Sequence, residues 1–426
     1  MTKVQYPTLD LFLYNRIEDS DKIRYDDYWN ALEKKLLENG FTVKKDAHEE
    51  LLEFEINTNK IDGSYLRVQV QDAYYLNYCC SIDKEVESSQ LSSFINQYKK
   101  YLSQPGLLPK LDNLDAGKLS KQGFFGQTWM LSGWTIPNNS QISENEAFDV
   151  YQNLIGKPHQ YYQAGEFFGA QVYEMWRGDR KWEGIEKNSH VVVVFYPDKQ
   201  TFNKIGEEYY TAWRDLFLYR HKMIWAYENG RKLKLRLMNK YGSSLTNTTD
   251  LSKKGLQELK DDLLTNTNNL STYVRDINDL DIQKHTVEVN LYNYDTICEH
   301  KFFDADFLQS FSKIVKDKYK IQLEKDYLSL NPDLAILENV TSTIRGMVEI
   351  EQAKEDRNLS NTVAILGIGL ATSQLTSAVI IAQQPPSKDI PFYQTKAFQY
   401  SLLLGIASGI SVWLIIRLNR LLQHKK

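Results

Sequence analysis

Cysteine is scarce in this chain: Cys79, Cys80 and Cys298 are its only three among 426 residues. Neighbouring cysteines seldom bridge to each other, and three thiols make no disulfide framework. The large N-terminal part is therefore expected in a reducing cytoplasm. The opening residues, Met1-Thr2-Lys3-Val4-Gln5-Tyr6-Pro7, lack the apolar core of a secretory signal. Catalytic spacings are missing as well. There is no His-Glu-x-x-His, no Gly-x-Ser-x-Gly, no Gly-x-x-x-x-Gly-Lys-Ser/Thr and no pair of Cys-x-x-Cys units. Cys298-Glu299-His300 offers two metal ligands, but side chains two apart on a helix face different ways and a zinc site takes four. No enzyme, no certain cofactor and no nucleic-acid partner are expected.

Long apolar runs are absent until late in the chain, and then two occur. Residues 363–382 and 398–416 carry no charge, and each is long enough to cross a hydrocarbon core of roughly 30 Å. Between them, the loop 383–397 holds Pro385, Pro386 and Pro391, which stop a helix. The tail 417–426 is basic, with Arg417, Arg420, His424, Lys425 and Lys426. Positive charge tends to stay inside, so both termini are expected to be cytoplasmic around a hairpin of the bacterial inner-membrane type, with lipid as its neighbour.

The expected fold class is α+β. Residues 1–200 read as a cytoplasmic mixed α/β domain, with strands at 9–14, 51–56, 65–70, 74–81, 128–136, 169–175 and 190–196. Helices are expected at 26–39, 89–102 and 143–154, and loops at 105–126 and 177–188. The run Val191-Val192-Val193-Val194-Phe195 is apolar on both faces and belongs inside a sheet. Residues 201–330 read as a cytoplasmic helical region, with a break at Asn229-Gly230 and a turn at 242–249. Two further helices follow, one through Leu256 to Ile277 and one from Thr286 through Cys298. The basic piece 231–240 suits a strand or a helix end, and a solvated surface or a contact with anionic lipid headgroups or an acidic neighbour. Asp276, Asp279 and Asp281 cluster where a helix is expected to end, a sign that calls for an ion or for a basic partner such as the tail.

Residues 331–382 read as one stalk helix that becomes the first span. Asn331 suits the N-cap, Pro332 the first helical position and Asp333 the first turn. One face can be followed along it: Leu337, Val340, Ile344 and Val348, then Glu351 and Glu355, then Asn358, Thr362, Ile365 or Leu366, Gly369, Ser373 and Thr376. Leu337, Ile344, Glu351 and Asn358 recur at heptad spacing, which keeps one seam against a partner helix. The seam either packs on neighbours through its small residues, or lines a path for cations in a ring of copies. In the ring, Glu351 and Glu355 form a cation-attracting collar, and Ile365 or Leu366 a greasy constriction. Ser401, Gly405 and Gly409 make a packing strip on the second span.

The order of elements resembles that of the CorA-type divalent cation channels. The matching stretch runs from Met347-Val348-Glu349-Ile350-Glu351-Gln352-Ala353-Lys354-Glu355-Asp356-Arg357-Asn358 into residues 359–382 and closes at Arg417-Leu418-Asn419-Arg420. The resemblance implies a pentamer around the first span, polar residues of that span along a pore, and a divalent cation such as magnesium. The family's Gly-Met-Asn signature is missing. Its place reads Ala378-Val379-Ile380-Ile381-Ala382-Gln383-Gln384-Pro385, where Gln383 is the polar substitute at the pore mouth. Two functions follow as expectations: a homo-oligomeric cation channel with a cytoplasmic sensing domain, or a membrane-anchored binding or signalling effector whose hairpin tethers and oligomerises.

Overall fold

The computed structural model describes residues 2–16, 33–34, 36–38, 40–45, 51–56, 61–70, 72–102, 124–177, 189–241, 251–303, 305–383 and 391–423. The strands are β1 (Lys3–Arg16), β2 (Thr42–Lys45), β3 (Leu51–Ile56), β4 (Ile61–Val70), β5 (Ala73–Ile82), β6 (Glu85–Glu87), β7 (Phe124–Ile136), β8 (Tyr161–Phe167), β9 (Ala170–Arg177) and β10 (Ser189–Tyr196). They form one ten-stranded sheet in the order β2-β3-β4-β5-β1-β7-β10-β9-β8, with β6 paired to β1. Only the β7–β10 pair is parallel among the described ladders; the others are antiparallel. Val191 to Val194 sit inside this sheet at 0–1% exposure. Branching at Cβ suits the pleat, and burial of each such side chain contributes about 2 kcal/mol.

The two faces of the sheet carry different helices. Odd-numbered residues such as Leu9, Leu11, Leu131, Val191 and Val193 share a core with Leu91, Phe94 and Ile95 of α1 (Leu91–Leu102) and with Ala147, Val150 and Tyr151 of α2 (Glu144–Ile155). A capping box of Ser143 and Glu146 starts α2, and Gly156 at φ 74° ends it. Even-numbered residues of β1 meet α3 (Lys199–Tyr241). There Phe12 lies edge-on to Phe217 at 5.3 Å, and the Tyr14 hydroxyl donates to the Arg214 carbonyl at 2.7 Å.

Several expectations need correction. Helix α3 runs unbroken through Asn229-Gly230, because the Leu323 side chain occupies the place where a Cβ on Gly230 would stand. Here glycine permits close helix packing and does not end the helix. The two helices expected after it are one, α4 (Leu256–Lys301), so Asp276 lies within a helix and not at its end. Its partner is Arg236 of α3, which donates two hydrogen bonds of 2.7 Å. Arg231 and Lys234 likewise pair with Asp326. The basic piece is thus a helix end whose cations meet carboxylates 0–1% exposed.

After the short α5 (Gln309–Ile314) and a π-helical turn at Val315–Lys320, the stalk helix α6 covers Ile321–Gln383. It begins well before Asn331 and carries Pro332 in its interior. Burial of Leu323 and Leu330, together with the ion pairs of Asp326, holds the turns that precede the proline. Such contacts outweigh the hydrogen bond that proline lacks. The last helix is α7 (Lys396–Gln423). Strands β2, β6 and β8 carry no signal that periodicity could single out: two are very short, and β8 is an edge strand with mostly accessible side chains.

The expected helix at 26–39 is described, as helix, only at 33–34 and 36–38. The expected loops at 105–126 and 177–188 lose their ends to strands, Phe124 to Gly126 to β7 and Arg177 to β9; their remainders, the turn at 242–249, Pro385, Pro386 and the tail residues His424 to Lys426 lie outside the described residues. The chain forms two compact units, Met1–Lys240 with Tyr273–Pro332, and Tyr241–Thr272 with Asp333–Lys426.

Candidate binding pocket and apolar hairpin

In the first unit, the face of the sheet that carries the even-numbered residues of β1 is polar at one end. Strand register lines its residues up in two cross-strand rows. One row runs Thr42, Glu55, Asp62, Ser81, Thr8 and Ser132. The next runs Lys44, Glu53, Ser64, Cys79, Asp10 and Met130. Side chains alternate along a strand, so such a row would ordinarily face water. Here Phe202, Ile205, Gly206, Tyr210 and Trp213 of α3 stand over it and line an open-mouthed cavity of about 420 Å³. That volume lies within the range of small-molecule sites.

Asp10 lies at the inner wall, 2% exposed. Tyr210 donates to its Oδ1 at 2.8 Å and Asn77 Nδ2 at 3.4 Å. Burial pushes the Asp10 carboxyl up to about 6, against the hydrogen bonds from Tyr210, Cys79 and Asn77. The same burial lifts the Cys79 thiol well above its usual range, which makes it a poor nucleophile. At the other wall the Tyr6 hydroxyl donates to Asp62 Oδ2 at 2.5 Å, and burial raises the Asp62 carboxyl. Tyr6 holds a left-handed backbone at φ 52°, where β1 shifts register against β7. A bulky residue in that region is strained, and strain of this kind collects at ligand sites. Its ring stacks on Trp134 at 5.9 Å.

Further along the same face is a second buried polar cluster. Thr128 Oγ1 lies 2.8 Å from both His190 Nδ1 and His221 Nε2, and His190 Nε2 lies 2.9 Å from Glu174 Oε1. Arg220 Nε stands 3.5 Å from the same Glu174 oxygen, and its guanidinium sits 4.6 Å over the Phe311 ring and 5.3 Å over Trp176. Burial lifts Glu174 to about 7 against the pull of Arg220. Burial, then the charge of Arg220, holds both histidines well below their usual range, so they are neutral. This cluster is sealed; it joins α3 to the sheet. Neither cluster was singled out by motif, because each draws on separate strands and on α3. The available signal was polar alternation at Thr8 and Asp10, Glu53 and Glu55, and Cys79 and Ser81. Among the described residues, no group of three His, Cys, Asp or Glu side chains converges as a metal site.

The second unit holds the sequence-predicted site residues. Among the described residues, two helices are long and apolar enough to cross a membrane, and their apolar windows are 0% and 6% buried, unlike the core helices of a soluble protein. The seam of α6 divides into three parts. Leu337 is buried, and Ile344 and Val348 pack with Leu251 and Leu259 of the same unit. Higher up, Ile365, Gly369 and Ser373 face α7. A Cβ on Gly405 would stand 2.9 Å from the Gly369 carbonyl oxygen and 3.0 Å from Ser373 Cβ, and one on Gly409 would lie 3.8 Å from Ile365 Cγ2. Ser401 is 5% exposed and bonds back to the Phe398 carbonyl at 3.0 Å. Thr376 is half-buried on the same side.

The middle part stays open. Glu355, Asn358 and Thr362 are exposed, and Glu351 pairs with Lys354 at 2.8 Å. Thr362 bonds to the Asn358 carbonyl at 2.9 Å, while Leu366 and Gln383 are exposed. The chain matches no family model and no curated protein.

Proposed function

We propose that this protein is a membrane-anchored binding module: its apolar hairpin tethers it in a bilayer, and the pocket under α3 takes a small ligand. Both termini lie on the cytoplasmic side in this reading. One observation carries it. The small-residue face of α6 that would have to line a conduit, at Gly369 and Ser373, is occupied by Gly405 of α7 in the same chain. Small residues let backbones approach within lipid, where packing replaces the hydrophobic effect as the driving force.

A pentameric CorA-like cation channel is the second reading. The exposed run Glu351, Glu355, Asn358 and Thr362 favours it, since such a face could surround an axis between copies. Reconstitution separates the two. The full chain in liposomes should float with the vesicles and give no magnesium entry to a trapped dye. Magnesium entry that Thr362→Leu with Ser373→Leu abolishes would establish the channel instead.

A further inference from the structure

The charge around the pocket is one-sided. Asp10, Glu53, Glu55 and Asp62 line it against Lys44 alone. Lys44 is the cross-strand neighbour of Glu53, and the four carboxylates outnumber it. A second concavity of about 790 Å³ shares Tyr6, Glu55, Asp62 and Phe202 with the first, and adds Asp83 and Lys199. At its rim the Lys199 ammonium stands 5.8 Å over the Trp134 ring. The site therefore presents carboxylates and aromatic faces together.

We propose that the pocket takes a small organic cation, an amine or a guanidine, held by Asp10 and Asp62 and walled by Tyr6, Phe202 and Trp213. The inference rests on the binding-module reading and names its ligand class. Carboxylates at two walls give charge-assisted acceptors to N–H donors, and ring faces attract the same positive charge. The hydroxyls of Thr8 and Ser81, 2.9 Å apart on the floor, accept further N–H groups. An anion such as a nucleotide phosphate meets the wrong sign here, four carboxylates against one lysine. A bare divalent metal needs a shell of converging oxygens, which no trio of acidic side chains supplies among the described residues.

Gly206 provides the test. It lines the pocket from α3, and a Cβ there meets nothing within 4 Å. Gly206→Leu puts a side chain at the pocket lining and improves helix propensity, and an unchanged thermal midpoint of the variant separates loss of binding from loss of fold. The measurement is calorimetric titration of the full chain in detergent micelles with agmatine, which carries one guanidinium and one ammonium. Adenosine monophosphate and adenosine serve as anionic and neutral probes. Agmatine should bind the parent protein. Its affinity should fall about tenfold in Asp62→Asn and vanish in Gly206→Leu. No agmatine binding to the parent, or binding that Gly206→Leu leaves unchanged, overturns the proposal. Adenosine monophosphate or adenosine binding that Gly206→Leu blocks overturns the cation class while leaving the binding module standing. The module itself falls to the flux assay, whatever agmatine does.

Discussion

Asp10 is a carboxyl that folding moves from water to the space beneath a helix. Its value rises from 3.8 to about 6, so between those two the folded state holds a proton that the unfolded chain has released. Stability contributed by this group is therefore full at low pH and declines as pH climbs through about 6, by about 3 kcal/mol in all. Glu174, lifted to about 7, slopes the same way, and the depressed histidines His190 and His221 slope the other way. Comparison with a variant removes these shared contributions. Asn in place of Asp10 keeps an oxygen for Tyr210 and Asn77 but has no charge to bury. Thermal unfolding in micelles should show Asp10→Asn close to the parent near about pH 4, and increasingly more stable than it towards about pH 7. Parallel curves would mean that the ionised carboxylate is stabilised in a way that burial does not explain.

At the scale of elements, α3 is held along its length by different chemistries: hydroxyl to carboxyl at Tyr210, aromatic contact at Phe217, ion pairs at Arg231, Lys234 and Arg236. Asp276 is 0% exposed whereas Arg236 is half-exposed. Removing the cation strands a buried charge that Arg275, 3.9 Å away, answers only in part. Arg236→Ala should cost about 2 kcal/mol, and adding Asp276→Leu should recover most of it, as read by the thermal midpoint. A double variant no better than the single one would show that the pair does more than neutralise a charge. The same contacts explain what the sequence disclosed. Strand β3 at Leu51–Ile56, the Ser143 start of α2 and the interior position of Val191 to Val194 follow from local pattern, and these are legible. The unbroken course of α3 through Gly230 and of α6 through Pro332 depends on Leu323, Leu330 and Asp326, which are distant or deceptive neighbours. The pocket was hidden for a related reason. Alternation showed a polar sheet face, and nothing local showed that a helix would cover it.

For the whole molecule, the decisive question is whether the small residues of the first apolar helix face their own chain or another. Ser373 and Gly405 can settle it, because a Cβ on Gly405 stands 3.0 Å from that of Ser373, within reach of a disulfide after slight adjustment. The native thiols Cys79, Cys80 and Cys298 are half-buried or buried and can be replaced by serine or alanine, which clears the background. With Ser373→Cys and Gly405→Cys introduced and oxidant applied in lipid, the hairpin geometry requires a bond within one chain. The protein should then run as a single-chain band on a denaturing gel, with faster mobility that returns to normal on reduction. A seam turned towards an axis of copies would leave these two sulfurs on different partners, and oxidation would give a ladder of linked chains. That ladder would remove the observation on which the tethering role stands, and would return Glu351, Glu355 and Thr362 to a shared conduit. The single-chain band would leave those residues as an exposed collar below a closed pair of spans, with the chemistry of the protein concentrated in the pocket under α3.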